Sequence, residues 1–347
     1  MLQISSAAIQ SYFNSAQRLL SGIIGNPLLN PISLIIALVV FAIALLLIVG
    51  IFGYLMGWFE RKFIARMQSR RGPTYVGKFG ILQNLADLIK LLSKENIVPA
   101  NADKRLFQFT IPMMIFAFIM AIAFIPLTQT FVGVNTSIGL IVVFMILSFL
   151  PLLLFLAGWT SGNKFASIGA MRSVAMLVSY EIPLVLVIVA VAMLANSYSF
   201  STIIAAQSHY WFALLMPIGF VVFFVIMLAE LERAPFDLRE ADSELIAGWL
   251  TDVSAPYYAL VLSLDYVRLF TGALLISVLF LGGYLGPSIL PPFAWTIIKT
   301  AAVSIFIIVV RATMVRMKIN RVLRLGWVAL LPLTVANLLL TFVLFVH

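Results

Sequence analysis

Long apolar runs separated by short polar segments dominate this chain of 347 residues. Each run is close to the length of about 20 residues that an α-helix needs to cross the hydrocarbon core of a bilayer. The pattern predicts an all-α polytopic membrane protein, organised as one membrane domain with about eight transmembrane helices. The predicted spans cover approximately residues 33–58, 107–127, 138–158, 174–195, 211–228, 257–280, 292–310 and 327–346.

A different periodicity follows the first predicted span. Its apolar positions recur at helical spacing, whereas Gln83, Asp87, Lys90 and Lys94 take the other faces. The apolar set is Ile81, Leu82, Leu85, Leu88, Ile89 and Leu92. Such a stripe predicts an interfacial amphipathic helix over residues 81–92, lying in the headgroup plane on the cytoplasmic side.

The loops differ sharply in charge, and this difference predicts the orientation. Residues 129–137, 196–210 and 282–291 contain no Lys, Arg, Asp or Glu, whereas the other connecting loops hold nearly all the basic residues. The positive-inside rule therefore places the charged loops in the cytoplasm and both termini outside. Residues 1–30 lack the basic n-region and cleavage site of a secretory signal, so we expect them to be retained.

Composition excludes several kinds of site. The chain is 63% hydrophobic, contains no cysteine and has only two histidines. Disulfides and thiolate-bound zinc or iron–sulfur clusters are therefore excluded, and no metal site is predicted. The net charge of +9 is explained by cytoplasmic loops, so nucleic acid is not an expected partner.

The segment 230–252 concentrates acidic residues in a chain that is only 10% charged. It carries seven of the thirteen, namely Glu230, Glu232, Asp237, Glu240, Asp242, Glu244 and Asp252. One interpretation is a solvated loop between two helices. Pro235 and Phe236, together with the helically spaced Ile246, Trp249 and Leu250, favour a loop packed against the membrane domain.

Four ionisable residues fall inside predicted spans, where each costs about 2.5 to 3.5 kcal/mol near the bilayer centre. They are Glu181, Asp265, Arg268 and Lys299. Asp265 and Arg268 are spaced to neutralise each other on one helix. Lys299 either snorkels to the interface or, as we expect, pairs with a carboxylate. A second hypothesis is a charge relay from Glu230 to these interior groups.

Two long segments, ERKFIARMQSRRGPTYVGKFGILQNLADLIKLLSKE from Glu60 and AELERAPFDLREADSELIAG from Ala229, resemble cytoplasmic loops of a known family. The family is membrane subunit 1, also called the H subunit, of respiratory complex I, the NADH-quinone oxidoreductase. The segments beginning at Gly158 and Lys299 are similar to two further loops. The resemblance covers residues 31–340 in the family's order.

The resemblance implies a non-redox subunit of a quinone-reducing, proton-translocating oxidoreductase, with no activity alone. It implies a lipid quinone as substrate and a quinone entrance or chamber bordered by Glu60, Arg61, Arg66, Arg70 and Asp87. It also implies a coupling path over Glu181, Glu230, Glu240, Asp242, Glu244 and Asp265, to which the interior charge adds Lys299. Its implied partners are hydrophilic-arm subunits carrying the terminal iron–sulfur cluster and quinone-headgroup site, small membrane subunits and antiporter-like subunits.

Some positions depart from the family's common pattern. Asp242 and Asp265 stand where Glu is usual, and Asn84 stands where Pro is usual. These departures indicate a divergent prokaryotic or archaeal-like branch, in which the electron donor need not be NADH. A prokaryotic cell membrane is the expected location, ahead of an organelle inner membrane or thylakoid. The alternatives are the equivalent subunit of a membrane-bound hydrogenase-type complex and a stand-alone transporter or channel.

Overall fold

The computed structural model describes residues 31–238 and 246–345, and every regular element within these ranges is helical. The α-helices are α1 (Pro31–Met67), α2 (Gln83–Leu92), α3 (Lys104–Phe124), α4 (Gly139–Ser148), α5 (Leu150–Thr160), α6 (Lys164–Ala195), α7 (Phe200–Ala206), α8 (Phe212–Leu215), α9 (Pro217–Glu230), α10 (Ala255–Phe280), α11 (Pro292–Thr313), α12 (Ile319–Arg324) and α13 (Leu331–Phe345). Short 3₁₀ turns cover Lys78–Gly80 and Gly248–Leu250, and a π-helical turn covers Leu325–Leu330.

Seven helical stretches of the described chain are long and apolar enough to cross a membrane. They are Leu38–Met67, Lys104–Phe124, Gly139–Thr160, Lys164–Ala195, Ala255–Phe280, Pro292–Thr313 and Ile319–Leu344. The remaining predicted span, 211–228, corresponds to the shorter apolar helix α9, which has 14 residues. The prediction of an all-α polytopic membrane protein is confirmed.

Two predicted spans are interrupted, and both interruptions lie next to a proline. Span 138–158 divides at Phe149, immediately before the first turn of α5, which holds Pro151. Span 211–228 divides at Met216, and Pro217 begins α9. Proline has no N–H to donate and its ring clashes with the preceding turn, so it suits the start of a helix and breaks an interior.

Helix α10 lies at the centre of the bundle. It contacts α1, α2, α3, α7, α8, α9 and α11. Every residue from Arg268 to Phe280 is buried, so this half of the helix has no face toward lipid or water. A helix that is apolar and buried on all sides is the core of a membrane bundle, and its other half is free to form the wall of a cavity.

Helix α1 carries two glycines where it approaches α10 and α2. A Cβ atom at Gly53 would lie 3.0 Å from Cβ of Tyr266, and one at Gly57 would lie 2.9 Å from Nδ2 of Asn84. The glycines therefore permit close approach of the three helices.

Helix α2 is the predicted amphipathic helix, beginning at Gln83 rather than residue 81. None of its residues is buried, and some of its apolar side chains, such as Ile89 at 59% exposure and Leu92 at 55%, face outward. This exposure is typical of a helix whose apolar face rests on a membrane surface or on a partner.

Candidate functional site

A cavity of about 1210 Å³ lies between α1, α2, α3 and α10. The segment 70–75, between α1 and α2, closes one side of it, and Arg311 of α11 reaches it from another. Ligand cavities in proteins typically measure about 300 to 1,000 Å³. The volume is therefore sufficient for a large organic ligand.

The cavity changes character along α1. Leu46 and Val49 line it together with Ile115 and Ile119 of α3, which gives an apolar section. Charged side chains line it further along, namely Glu60, Arg61, Arg70, Arg71, Asp87 and Arg311. Leu46 and Arg61 are 15 positions apart on one helix, about 22 Å at 1.5 Å per residue. The cavity thus suits a ligand with a long apolar part and a polar head.

Four of the five predicted chamber residues line this cavity, namely Glu60, Arg61, Arg70 and Asp87. Arg66 is exposed and is not among the lining residues. It lies at the end of α1, on a different face from Glu60 and Arg61.

Arg61 joins α1 to α2 at the polar part of the cavity. Its Nη1 donates to Oδ2 of Asp87 at 2.6 Å and to Oδ1 of Asn84 at 2.9 Å. Gln83 Nε2 donates to the other carboxylate oxygen of Asp87 at 2.8 Å. Burial would raise the pKa of Asp87, but the bonds from Arg61 and Gln83 and the charges of Arg61 and Lys90 outweigh it and lower that pKa.

Three further bonds fasten the α1 surface to α2 and the segment before it. The Tyr54 hydroxyl donates to the carbonyl of Ile81, and Trp58 Nε1 donates to the carbonyl of Phe79 at 3.1 Å. Asn84 Nδ2 donates to the carbonyl of Tyr54 at 3.2 Å. The amphipathic helix is therefore a fixed wall of the cavity.

Glu60 is buried between two arginines. Arg233 Nη1 donates to both of its carboxylate oxygens at 3.0 Å, and Arg311 Nη1 donates to Oε1. Glu60 and Arg233 are only 2% and 7% exposed, whereas Arg311 is 41% exposed and lines the cavity. Desolvation would lower the pKa of Arg233, but Glu60 and Asp265 raise it above its usual value. The cluster places one partly exposed positive charge at the polar end of the cavity.

A second buried ion pair involves Glu232, the residue before Arg233. Arg268 Nη1 donates to Oε2 of Glu232 at 2.7 Å, and the guanidinium lies 5.4 Å from the ring centre of Phe118. Arg268 therefore reaches the turn after α9, beyond its helical neighbour Asp265. Glu232 and Arg233 are adjacent, so this turn connects the Glu60 cluster with α10.

Glu230, the last residue of α9, lies near several of the predicted interior charges. Arg268, Glu232 and Glu181 all act on it electrostatically. Its Oε1 atom is buried and has no hydrogen-bond partner in the described part of the chain. A small cavity beside it is lined also by Ser173, Tyr180 and Glu232. Glu181 on α6 and Glu230 on α9 are thus brought together across two helices.

The other predicted coupling residues divide into two groups. Asp265 is half-buried on α10, and its backbone carbonyl accepts a bond from Arg233 Nη2 at 3.5 Å. Glu240, Asp242 and Glu244 lie outside the described residues. The flanking parts of the acidic loop pack against the bundle, since Phe236, Leu238 and Trp249 are buried, and Asp237 bonds to Arg316 at 3.1 Å. A freely solvated loop is therefore excluded for these flanks.

The expected pairing of Lys299 with a carboxylate is wrong. Its ammonium donates to the carbonyls of Leu281, Gly283 and Leu285 at 2.7, 3.0 and 2.6 Å, and it lies 5.3 Å from the ring centre of Trp211. An ammonium has three N–H donors, so these carbonyls occupy all of them. Lys299 reaches the uncharged loop after α10, away from the Glu60 cluster, as in snorkelling.

Within residues 31–238 and 246–345, no group of three His, Asp or Glu side chains is arranged to hold a metal ion. The charged groups that do come together are carboxylates paired with arginines. Their chemistry is hydrogen bonding, charge compensation and proton exchange.

Sequence reasoning missed several residues of this site. Arg233 and Arg311 are the partners of Glu60, although they are 173 and 251 positions away. Arg233 is one of only two basic residues in the acidic segment, which was a usable signal. Tyr54, Asn84 and Tyr266 also line the cavity, and only Asn84 is marked in the sequence, by its departure from the family's usual Pro.

Comparison with known proteins gives a consistent result. Residues 36–342 match the family model described as NADH dehydrogenase. The chain is 44% identical to the H subunit of NADH-quinone oxidoreductase from Dehalococcoides mccartyi over 82% of this chain and 80% of that one. It is 37% identical to the same subunit from Carboxydothermus hydrogenoformans over 91% and 90% of the two chains, and 39% identical to the one from Bacillus thuringiensis over 87% and 92%. With this extent of similarity, the chain belongs to the NADH dehydrogenase family of H subunits, the membrane subunit 1 of complex I.

Proposed function

We propose that this chain forms the lipid-quinone entrance and chamber of a complex I-type oxidoreductase and couples quinone reduction to ion pumping. The observation that carries the first part is the cavity between α1, α2, α3 and α10, which is apolar at one end and charged at the other. A lipid quinone has this distribution, with a long isoprenoid tail and a polar head that bears two carbonyl oxygens. The family relatives are named as quinone oxidoreductase subunits, which supports the same ligand.

The positions of the two sections fit entry from the bilayer. The apolar section runs along the part of α1 that crosses the membrane, and the charged section follows toward the basic loop after Met67. On the proposed topology that loop is cytoplasmic. A quinone head would therefore move along α1 from lipid toward Arg61 and Arg311 while its tail stays among apolar side chains.

Electron transfer itself falls to partner subunits in this proposal. The chain has no cysteine to bind an iron–sulfur cluster. Hydrophilic-arm subunits with the terminal cluster would dock on the charged cytoplasmic side, and small membrane and antiporter-like subunits on the lipid-facing sides. This chain would orient the quinone and respond to its change of charge.

The coupling part rests on the arrangement of paired charges next to the cavity. Arg311 touches both the cavity and Glu60, and Glu60 holds Arg233. The residue before Arg233, Glu232, bonds to Arg268, whose charge acts on Glu230 beside Glu181. A negative charge that forms on a ligand beside Arg311 would therefore alter the electrostatic balance at Glu60 and then at the Glu230 and Glu181 pair.

The ligand is tested by photolabelling with an azidoquinone in the complex purified through a tag on this chain. We expect labelled peptides from α1, α2 and α10, protection by excess quinone, and copurified iron–sulfur subunits with inhibitor-sensitive quinone reduction. Labelling that is confined to lipid-facing helices such as α13 would contradict the chamber. Hydrogen evolution without quinone reduction would assign the chain to the hydrogenase-type alternative, and purification as a single chain would favour a transporter.

The coupling path is tested with Glu230→Gln and Glu181→Gln in proteoliposomes. Both variants remove a carboxylate charge with little change of shape, so we expect pumping to fall severalfold while assembly and the amount of complex stay near wild type. Asp237→Asn is the matched control, because Asp237 is paired with Arg316 at the protein surface. Unchanged pumping in both Gln variants would remove these residues from the path.

A further inference from the structure

We propose that Asn84 is a positioning residue that presets Arg61 as a hydrogen-bond donor to a neutral, carbonyl-bearing ligand head in the cavity. This inference rests on the proposed function, since it takes a quinone as the ligand. It adds a residue whose side chain works through another side chain rather than on the ligand directly.

Asn84 uses both ends of its amide group. Its Oδ1 accepts from Arg61 Nη1 at 2.9 Å, and its Nδ2 donates to the carbonyl of Tyr54 at 3.2 Å. Tyr54 and Arg61 are both on α1, seven residues apart, so they lie on one face about two turns apart. Asn84 therefore bridges two turns of α1 from α2, and Gly57 lies between them, where a Cβ atom would come within 2.9 Å of Asn84 Nδ2.

This bridge leaves part of the Arg61 guanidinium available. Nη1 is committed to Asn84 and Asp87, but Nη2 and Nε have no hydrogen-bond partner within the described residues. Arg61 lines the cavity. A guanidinium has five N–H donors in a fixed plane. Fixing Nη1 on two acceptors therefore fixes where the remaining donors can meet a carbonyl oxygen.

The charge balance of this group selects a neutral ligand head. Asp87 compensates the charge of Arg61 through a 2.6 Å contact. Asn84 adds an acceptor to Arg61 without adding a second negative charge. A donor in such a neutral pair bonds a carbonyl oxygen without the desolvation of an unpaired cation. Arg311, which donates a hydrogen bond to Glu60, supplies the positive charge further along the cavity.

We expect position 84 to tolerate the substitutions that test this role. It is the second residue of α2, in the first helical turn, where the backbone N–H has no intrahelical acceptor. Ala keeps the helix and removes both side-chain bonds. Asp keeps an oxygen acceptor for Arg61 but loses the donor to the Tyr54 carbonyl. The two variants therefore distinguish the effect of the hydrogen bond to Arg61 from that of the hydrogen bond to the Tyr54 carbonyl.

The experiment uses the intact complex and measures the azidoquinone concentration for half-maximal labelling, together with KM and kcat for a short-tail quinone. For Asn84→Ala we expect both the half-saturation concentration and KM to rise about fivefold, which corresponds to about 1 kcal/mol, the usual net contribution of one hydrogen bond. The maximal labelling and kcat should stay within twofold of wild type. Asn84→Asp keeps the acceptor for Arg61 but adds a negative charge beside Asp87, so both concentrations should lie between wild type and Asn84→Ala.

Asn96→Ala is the matched control, because Asn96 Oδ1 accepts from Ser254 Oγ at 2.6 Å and neither residue lines the cavity. This variant loses an Asn hydrogen bond outside the cavity, and we expect its half-saturation concentration and KM to match those of the wild type. Equal weakening in the Ala and Asp variants would overturn the inference, as would a shift below twofold in Asn84→Ala. Arg61→Ala separates the two proposals. A raised KM in Arg61→Ala alone refutes only the role of Asn84, whereas wild-type behaviour in Arg61→Ala and labelling outside the cavity refute the chamber itself.

Discussion

Glu60 shows how a single residue can hold together distant parts of this chain. An isolated carboxylate with 2% exposure would be strongly disfavoured, and two arginines from different segments compensate it. Arg233 follows α9, and Arg311 lies in the last turn of α11. Glu60 therefore links α1 to both, beside the cavity.

Glu60→Gln should destabilise the protein strongly. The substitution removes the carboxylate to which the buried Arg233 bonds, and removing one member of a buried pair typically costs about 3 to 5 kcal/mol. We expect a large loss of assembled complex and a lower unfolding temperature of the remainder. Asp87→Asn is the control, because an exposed pair contributes about 1 kcal/mol or less. Similar stability of the two variants would contradict the buried cluster.

The bond between Asp87 and Arg61 should be insensitive to pH in the physiological range. The pKa of Asp87 in the folded protein is below its usual value of 3.8, so the bond's contribution is present above that value and is lost only as pH falls through the folded pKa. We expect hydrogen exchange of residues 83–92, corrected for the intrinsic rate, to be constant from about pH 8 to about pH 5. Asp87→Asn should exchange faster throughout. A transition in the wild type within that interval would disprove this.

The sequence predicted which residues carry charge at the site better than which residues they contact. Four chamber residues were found because they follow the first span, where a resemblance and a charge pattern coincide. The partners of Glu60 are not predicted, since Glu60 and Arg233 meet only after α1 packs against the turn that follows α9. The partners of Lys299 are not predicted either. They are backbone carbonyls of an uncharged loop, and nothing in the sequence of that loop marks them as acceptors.

At the scale of elements, the length of each apolar run locates a predicted span. Side-chain contacts and caps determine where the observed helix begins and ends. Span 257–280 differs from α10 by only two residues at its start. Helix α1 continues past residue 58, where the first predicted span ends, through Glu60 and Arg61, which look like solvent-exposed charges in the sequence. Pairing lets α1 continue to Met67. Helix α6 likewise begins ten residues before its predicted span, at Lys164 after the Asn163 cap.

Gly57→Ala should disturb the contact of α1 with α2 and α10. The new Cβ would lie 2.9 Å from Asn84 Nδ2 and 3.0 Å from Tyr266 Cζ, so both neighbours must move. We expect a loss of about 1 to 3 kcal/mol, measured as a lower unfolding temperature of the purified complex. Gly50→Ala on the same helix has nothing within 4 Å, and its unfolding temperature should be unchanged or higher. The reverse order of the two variants would contradict the close approach.

At the scale of the whole molecule, the charged and uncharged loops give the protein two different ends. The Glu60 cluster and the cavity's polar section are at the end with the basic loops, and Lys299 reaches the uncharged end. The absence of native cysteines makes this arrangement directly testable.

Single cysteines should report the proposed orientation. Gln129→Cys lies in an uncharged loop and Lys94→Cys in the basic loop, and both positions are exposed. In right-side-out membrane vesicles, we expect a membrane-impermeant maleimide to label the first and to label the second only after permeabilisation. Denatured samples control for thiols covered by partner subunits. Labelling of Lys94→Cys in sealed vesicles would reverse the topology.

Helix α11 is held by two cationic side chains, one in its last turn and one about two turns from its start. Arg311 bonds to Glu60 at one end, and Lys299, 12 residues or about 18 Å away, bonds to three carbonyls after α10 at the other. Bending of the helix would have to break one of these contacts, whereas tilting of α10 and α11 together keeps the carbonyl cap intact. We therefore expect α10 and α11 to move as one rigid body. A displacement of Arg311 at the cavity would then shift the loop after α10 on the opposite side of the membrane.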